Sequence, residues 1–216
     1  MTRIKFCGIT RREDAVVACE LGATHLGVIF AESPRKVSPL QASEVFSAAP
    51  GMRRVGVFRH SPIGEILDAA QGASLDVIQM HGRFSLDDVA RLREGFDGEL
   101  WSVLPVEAGD AAISEDVGDM SDLADAILLD TMAHGQSGGT GTVFNWEAAR
   151  SLVRELAGRT TVVLAGGLNP GNVADAIRIL RPAIVDVSSG VESSPGIKDH
   201  SRMKAFAEAV ASASIV

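Results

Sequence analysis

Short runs rich in β-branched residues recur at even spacing along the whole chain, and this repetition limits the possible folds more than any other feature. Each run is too short for a buried helix, and several are apolar throughout, as parallel strands covered on both faces tend to be. The predicted strands are Arg3–Cys7, His25–Phe30, Arg54–Phe58, Asp76–Met80, Leu100–Leu104, Ala126–Asp130, Thr161–Leu164 and Ile184–Val187.

Amphipathic helical patterns fill most of the gaps between these runs. Predicted helix starts with a capping residue are Thr10 in Thr10-Arg-Arg-Glu13, Ser38-Pro39, Ser61-Pro62 and Asn169-Pro170. The weakest predicted helix lies within Glu107–Leu123, which is rich in Gly and Asp. Eight strand–helix alternations without a break in composition predict one (β/α)8 domain, a TIM barrel, over residues 1–216. A doubly wound open sheet would use similar units but rarely eight at such even spacing.

Composition excludes several classes of protein. The chain has 20 Lys and Arg against 28 Asp and Glu, a formal net charge of -8, which argues against a nucleic-acid partner. No apolar run approaches the roughly 18 residues of a membrane span, and the N-terminus has no signal-like apolar core. The two cysteines fit a reducing cytoplasm, and neither has further His or Cys at metal-ligand spacing. We therefore expect a cytoplasmic protein without a metal site.

The first strand carries a cysteine at its carboxyl end, where barrels hold their chemistry. Because side chains alternate along a strand, Ile4 and Phe6 share one face, and Lys5 and Cys7 share the other. If the apolar pair faces the helices, Cys7 points into the barrel mouth. Lys5 on the same face would favour the thiolate and predicts a thiol pKa below the free value. The alternative is a buried cysteine acting as a small hydrophobic residue.

Other polar residues also follow predicted strands. Asp130, directly after four apolar residues, is either a turn acceptor or an acid whose pKa is raised by a partly dry site. Asp186 lies inside an apolar strand and should meet a donor or a ligand. His81 lies near the rim as a hydrogen-bonding or packing residue. Arg35, after the second strand, could hold a carboxylate in its planar fork.

Loops of small residues follow the seventh and eighth predicted strands, the recurrent phosphate site of such barrels. They contain Gly166 and Gly167, and then Ser188, Ser189 and Gly190. The long loop Thr131–Thr142 contains a formal G-x-S-x-G match around Ser137. A nucleophile elbow needs a strand running straight into the serine and a helix straight out of it. Seven residues separate Asp130 from Ser137, so a glycine-rich lid over the mouth is the better interpretation.

Nine motifs along the chain together form a recognisable set. They are Lys5-Phe-Cys7-Gly8-Ile-Thr10, Ser33-Pro34-Arg35, Val55-Gly-Val-Phe58, Gln79-x-His81-Gly82, Leu129-Asp130, Gly138-Gly-Thr-Gly141, Phe144-Asn-Trp146, Leu164-Ala-Gly-Gly-Leu-Asn-Pro170 and Asp186-Val-Ser-Ser-Gly-Val-Glu192. With these motifs the chain resembles phosphoribosylanthranilate isomerase over nearly its whole length. Their order and their positions along the chain make the match specific. The loop from Phe30 to Arg35 is one residue shorter than the usual F-x-x-x-S-P-R spacing.

The resemblance implies an enzyme of tryptophan biosynthesis that converts N-(5-phosphoribosyl)anthranilate to 1-(2-carboxyphenylamino)-1-deoxyribulose 5-phosphate without a cofactor. Cys7 matches the general base of the family, Asp130 its general acid, and Arg35 the residue that holds the anthranilate carboxylate. The amides around Gly166, Gly167, Ser188, Ser189 and Gly190 match its phosphate cradle. We further expect substrate contacts from Lys5, His81 and Asp186.

Two other functions remain open from sequence. One is a barrel that binds phosphorylated sugars without catalysis, which would not need Cys7 together with Asp130. The other is a related aldose–ketose isomerase acting on a histidine-pathway aminoaldose. In each case the expected partner is a small phosphorylated molecule, with no nucleic acid and no membrane, and the protein is a monomer or a homodimer.

Overall fold

Eight strands alternate with helices and pair side by side in parallel. The computed structural model describes residues 1–82, 84–107, 123–133, 136–137 and 143–213. The barrel strands are β1 (Arg3–Phe6), β2 (His25–Ile29), β3 (Arg53–Phe58), β4 (Val77–Met80), β5 (Glu99–Glu107), β6 (Ala126–Ala133), and, after a two-residue strand β7 (Gln136–Ser137), β8 (Thr161–Leu164) and β9 (Ile184–Val187). Their hydrogen-bonded order is β5-β4-β3-β2-β1-β9-β8-β6, and pairing of β5 with β6 closes the ring. The predicted (β/α)8 barrel is confirmed.

Within the described ranges, a helix follows each barrel strand other than β5 and lies outside the ring. They are α1 (Arg12–Glu20), α2 (Pro39–Ser47), α3 (Ile63–Gly72), α4 (Leu86–Gly95), α5 (Trp146–Ala157), α6 (Val173–Leu180) and α7 (His200–Ala213). None of the helices in the described ranges is both long and apolar enough to cross a membrane. The weak helix predicted within Glu107–Leu123 and most of the predicted lid fall on residues outside the described part of the chain.

One predicted helix cap is confirmed and three are wrong. Ser38 caps α2 and forms a reciprocal capping box with Gln41. Thr10 instead donates its hydroxyl to the carbonyl oxygen of Gly196 at 2.6 Å, and α1 begins at Arg12 without a side-chain cap. At the other two positions the helix begins later than predicted, with Pro62 as the N-cap residue of α3 and Asn172 as that of α6. The proline motifs indicated the right turns but not the right terminal residue.

One apolar layer lies outside the barrel strands and another lies inside the ring, and together they show which way the side chains point. Ile4 and Phe6 belong to the layer between strands and helices, as the alternation predicts. A second cluster inside the ring includes Val55, Trp101 and Leu128. Lys5 and Cys7 therefore point inward, toward the axis of the barrel.

A short hairpin after β9 was not apparent from the sequence. A 3-10 turn at Ser189–Val191 leads into β10 (Glu192–Ser194), which pairs antiparallel with β11 (Ile197–Lys198). Glu192 and Lys198 are opposite each other in this pairing. The hairpin thus holds two buried charged residues beside the loop that follows β9.

Candidate active site

A cavity of about 290 Å³ opens at the carboxyl ends of the barrel strands. Ten of the eleven residues that the sequence predicts for the site line it. They are Cys7, Arg35, His81, Asp130, Gly166, Gly167, Asp186, Ser188, Ser189 and Gly190. These residues come from loops and strand ends far apart in the chain, and closure of the barrel brings them to one place.

Cys7 follows β1 directly and is 6% exposed. Its sulfur fits because the neighbouring strand has no side chain at Gly27, where a Cβ would lie 3.0 Å from Sγ. Burial raises the pKa of the Cys7 thiol, and the charge of Lys5 opposes this only in part. The prediction of a lowered thiol pKa is therefore wrong, and without a ligand Cys7 is a thiol at neutral pH.

The charge that opposes burial at Cys7 is itself paired with an acid. Its fully buried ammonium donates to Oδ2 of Asp186 at 2.8 Å. Lys5 is the one predicted site residue outside the lining of the cavity, and its predicted contact with a substrate stays a prediction. Oδ1 of Asp186 is buried and has no hydrogen-bond partner among the described residues. Asp186 lines the cavity, so its Oδ1 atom is available to accept a hydrogen bond from a ligand.

Asp130 lies near the carboxyl end of β6 and is 6% exposed. Burial, followed by the nearby charge of Asp186, raises the pKa of this carboxyl to about 7. Lys5 and the backbone N–H of Thr131 act in the opposite direction but do not cancel the effect. A large fraction of Asp130 is therefore protonated near neutral pH, as a proton donor requires.

His81 faces the same acid across the cavity. Its Nε2 atom is 3.8 Å from Oδ2 of Asp130, which is too long for a hydrogen bond. Burial, with the charges of Arg59 and Lys5, lowers the pKa of His81 to about 4. The imidazole is therefore neutral at physiological pH, and it can donate or accept a hydrogen bond without competing with Asp130 as an acid.

The loops after β8 and β9 pack against their surroundings so closely that two of their glycines cannot be replaced without movement. A Cβ at Gly166, which has φ +79°, would lie 2.2 Å from the backbone nitrogen of Thr131. A Cβ at Gly190 would lie 2.0 Å from the carbonyl oxygen of Leu168, in the loop after β8. These glycines therefore let the two loops pack closely together at the edge of the cavity, and backbone N–H groups of loops of this kind can hold an anion.

Arg35 crosses the mouth of the cavity from the loop after β2. Its stem lies over Gly8, where a Cβ would be 2.6 Å from Cδ of Arg35. Its Nε and Nη2 atoms donate to the two carboxylate oxygens of Glu192, at 2.8 and 2.7 Å. A guanidinium has five N–H groups, so three remain for a ligand.

Three residues near the cavity were missed at the level of sequence. Gln79 and Arg59 line it, and Oε1 of Gln79 is buried without a hydrogen-bond partner in the described ranges. Alternation could have indicated Gln79, which shares a strand face with His81. Glu192 gave no local signal, because its contact with Arg35 spans 157 residues. Within the described residues no group of three His, Cys, Asp or Glu could hold a metal ion.

Comparison with known proteins relates the whole barrel to one family. Residues 4–209 match the family model for N-(5'-phosphoribosyl)anthranilate (PRA) isomerase. The N-(5'-phosphoribosyl)anthranilate isomerase of Pseudomonas fluorescens (strain Pf0-1) is 44% identical over 213 residues, covering 96% of this chain and 98% of the relative.

Solved structures give the same relationship. Phosphoribosyl anthranilate isomerase from Thermotoga maritima superposes with a TM-score of 0.84 at 34% identity, over 98% of this chain and 100% of that chain. A phosphoribosyl anthranilate isomerase structure in complex with reduced 1-(o-carboxyphenylamino)-1-deoxyribulose 5-phosphate superposes with a TM-score of 0.80 at 34% identity, again over 98% of this chain and 100% of the other.

Proposed function

Because the chain belongs to the N-(5'-phosphoribosyl)anthranilate isomerase family, we propose that it catalyses the Amadori rearrangement of N-(5-phosphoribosyl)anthranilate to 1-(2-carboxyphenylamino)-1-deoxyribulose 5-phosphate. This is an aldose-to-ketose isomerisation of tryptophan biosynthesis that needs no cofactor. The match of residues 4–209 to the family carries the proposal. A cavity lined by both Cys7 and Asp130 at the carboxyl ends of the strands supports it.

Asp130 is the general acid. Opening the ribose ring requires a proton on the ring oxygen as its bond to C1 breaks, while the nitrogen lone pair forms the C1=N bond of a Schiff-base cation. The support is a carboxyl with a pKa raised to about 7, which holds a proton at neutral pH and lines the cavity. A positioned acid of this kind typically contributes about 10²–10⁴-fold to the rate.

Cys7 is the general base. Its thiolate removes the proton from C2, the C–H electrons form the C1=C2 bond, and the C=N electrons return to nitrogen. The resulting enolamine then tautomerises to the C2 ketone. Burial raises the thiol pKa in the free protein, so the cationic Schiff base itself must help to ionise the thiol. The thiolate therefore forms when the cation, and with it the acidic C–H bond, is beside the sulfur, and the thiol proton passes to solvent.

The remaining residues anchor the ends of the substrate. Arg35 binds the anthranilate carboxylate with its three remaining N–H groups, and the backbone around Gly166, Gly167, Ser188, Ser189 and Gly190 binds the phosphate. Asp186 accepts from a sugar hydroxyl, with Lys5 holding it in place. His81 contacts the substrate as a neutral imidazole. Binding energy from the two anchored ends keeps C1 and C2 between acid and base.

Two free cysteines, Cys7 and Cys19, suit a reducing cytoplasm, which is where we place the reaction.

The test of the proposed function is turnover of enzymatically generated phosphoribosylanthranilate, followed by the loss of its fluorescence. We expect loss far above the spontaneous rate, and rescue of a tryptophan auxotroph that lacks this step. Binding without turnover would indicate a silent sugar-binding barrel. Turnover of only a histidine-pathway aminoaldose would indicate the related isomerase.

A further inference from the structure

Glu192 accepts hydrogen bonds from three different groups at the rim of the cavity. Its Oε1 atom accepts from Arg35 Nε at 2.8 Å, from Lys198 Nζ at 2.8 Å and from the backbone nitrogen of Gly196 at 3.3 Å. Its Oε2 atom accepts from Arg35 Nη2 at 2.7 Å. Both carboxylate oxygens are therefore engaged, and the side chain has one available orientation.

The cluster is buried although it holds three charges. The side chains of Lys198 and Glu192 are 0% and 5% exposed, and that of Arg35 is 20% exposed. Burial acts to raise the pKa of Glu192, but Arg35 and Lys198 outweigh it, so the pKa is lowered and the carboxylate is ionised. Removing the carboxylate would leave two cations facing each other without a counter-charge.

Glu192 is not part of the lining of the cavity, whereas Arg35 is. The Glu192 carboxylate accepts hydrogen bonds from the Nε–Nη2 edge of the Arg35 guanidinium, and the aliphatic part of the Arg35 side chain packs on Gly8. Lys198 also donates to the carbonyl oxygen of Ser188 at 3.1 Å, in the loop that lines the other side of the cavity. Through Glu192 and Lys198, Arg35 is therefore connected to Ser188 in the proposed phosphate-binding loop.

From this geometry we propose that Glu192 is a positioning residue, which holds Arg35 so that its remaining N–H groups face the anthranilate carboxylate of the substrate. The inference rests on the proposed function. A free arginine side chain must give up rotamer entropy when it binds a ligand. An arginine already fixed by a bidentate carboxylate has lost that freedom before the substrate arrives.

The first experiment compares Glu192→Gln with wild type in steady-state kinetics. The amide cannot accept two charge-assisted hydrogen bonds, so Arg35 loses its fixed orientation. We expect KM to rise about tenfold, the effect of one lost charged hydrogen bond, with kcat changed less than about threefold. The matched control is Glu99→Gln, which alters an Arg–Glu pair with Arg53 at the amino ends of the strands. It should leave KM unchanged.

Glu192→Asp guards against misfolding of the amide variant. It keeps the negative charge beside the buried Lys198 but shortens the side chain by one methylene, so it should fold and still misplace Arg35. Arg35→Met provides the second control. In that background Glu192→Gln should raise KM no further, because a positioning residue acts only through the group it holds.

The ligand readout separates this inference from the proposed function. Wild type should bind the reduced carboxyphenylamino product analogue more tightly than its aniline counterpart without the carboxylate, and Glu192→Gln should lose most of that preference. If Glu192→Gln and Glu192→Asp fold and keep both the wild-type KM and the preference for the carboxylate-bearing analogue, the role of Glu192 is overturned. Turnover by wild type would in that case still support the proposed function. Absence of turnover by wild type would overturn the function, and the binding preference would still decide the role of Glu192.

Discussion

Two aspartates at opposite ends of the barrel strands show how differently the same side chain is used. Asp76 precedes β4 and accepts from the backbone nitrogen, Nε and Nη2 of Arg54, at 2.8, 2.9 and 3.0 Å. Burial acts to raise its pKa, but Arg54 outweighs it, so the pKa of Asp76 is lowered. Asp130, near the carboxyl end of β6, has a pKa raised to about 7 by burial and by Asp186.

The difference separates the structural end of the barrel from the chemical end. At the amino ends the carboxylate is neutralised by a neighbour, which stabilises the fold. At the carboxyl ends Asp130 is buried and close to another acid, so its charge is disfavoured, which costs stability but keeps a proton available. Polar side chains at the two ends are therefore expected to respond in opposite ways to the same substitution.

The largest expected effect is on turnover. Asp130→Asn removes the transferable proton but keeps the size of the side chain, so kcat should fall at least about 100-fold. Asp76→Asn, the same substitution at the other end, should leave kcat within about twofold of wild type. Fluorescence-monitored steady-state kinetics on both variants is the measurement. Comparable losses in the two variants would remove the distinction between the ends.

The second effect is on stability and has opposite signs. Asp76 has a lowered pKa, so it stabilises the fold above its ordinary pKa of 3.8, and this contribution is lost as the pH falls. Asp76→Asn should lower the free energy of unfolding by about 1–2 kcal/mol at pH 8.

Asp130 has a raised pKa, so its ionisation destabilises the folded state increasingly from pH 3.8 to about 7 and constantly above that. Asp130→Asn should therefore raise the melting temperature at pH 8. Denaturant and thermal unfolding of both variants at this pH give the comparison. A loss of stability in Asp130→Asn would show that its carboxylate is stabilised in the fold.

The third effect is a shift in a pH profile. Activity requires one proton on Asp130 and none on Cys7, and the pKa of Asp130 lies below that of Cys7. The active arrangement is then a small, constant fraction of the singly protonated pair, and kcat/KM rises with pH to about 7 before it levels. Asp186→Asn removes a charge that raises the pKa of Asp130, so this limb should move to lower pH. A limb that stays in place would belong to another group.

Much of the fold could be predicted from the sequence, because each barrel strand is marked by its own local run. Strands β8 and β9, the last two of the barrel, have the predicted bounds, Thr161–Leu164 and Ile184–Val187. Strand β5 is longer than predicted, because its pairing with β6 continues past Pro105 to Glu107. Turn residues such as Ser61 and Asn169 gave the position of the turns but not the first helical residue.

The site was predictable only where a residue's position in its own strand decides its direction. Cys7 follows β1 and Asp130 follows four apolar residues of β6, so alternation and the barrel rule predict that they reach one cavity. The state of the thiol depends first on burial and then on the charges of Lys5 and Asp186, which pair across 181 residues of sequence. No local pattern records that contact, or the contact of Arg35 with Glu192. Electrostatics that depend on such pairs needed the folded structure.

The most direct test of the acid–base account is the single-turnover rate of Cys7→Ala at saturating substrate, with its affinity for the reduced product analogue measured in parallel. The account predicts a rate at least about 100-fold below wild type and an affinity within about threefold of it, because the thiol acts on C2 and not in binding. A variant that keeps more than about a tenth of the wild-type rate would contradict the account, since the proton would then leave C2 without the sulfur.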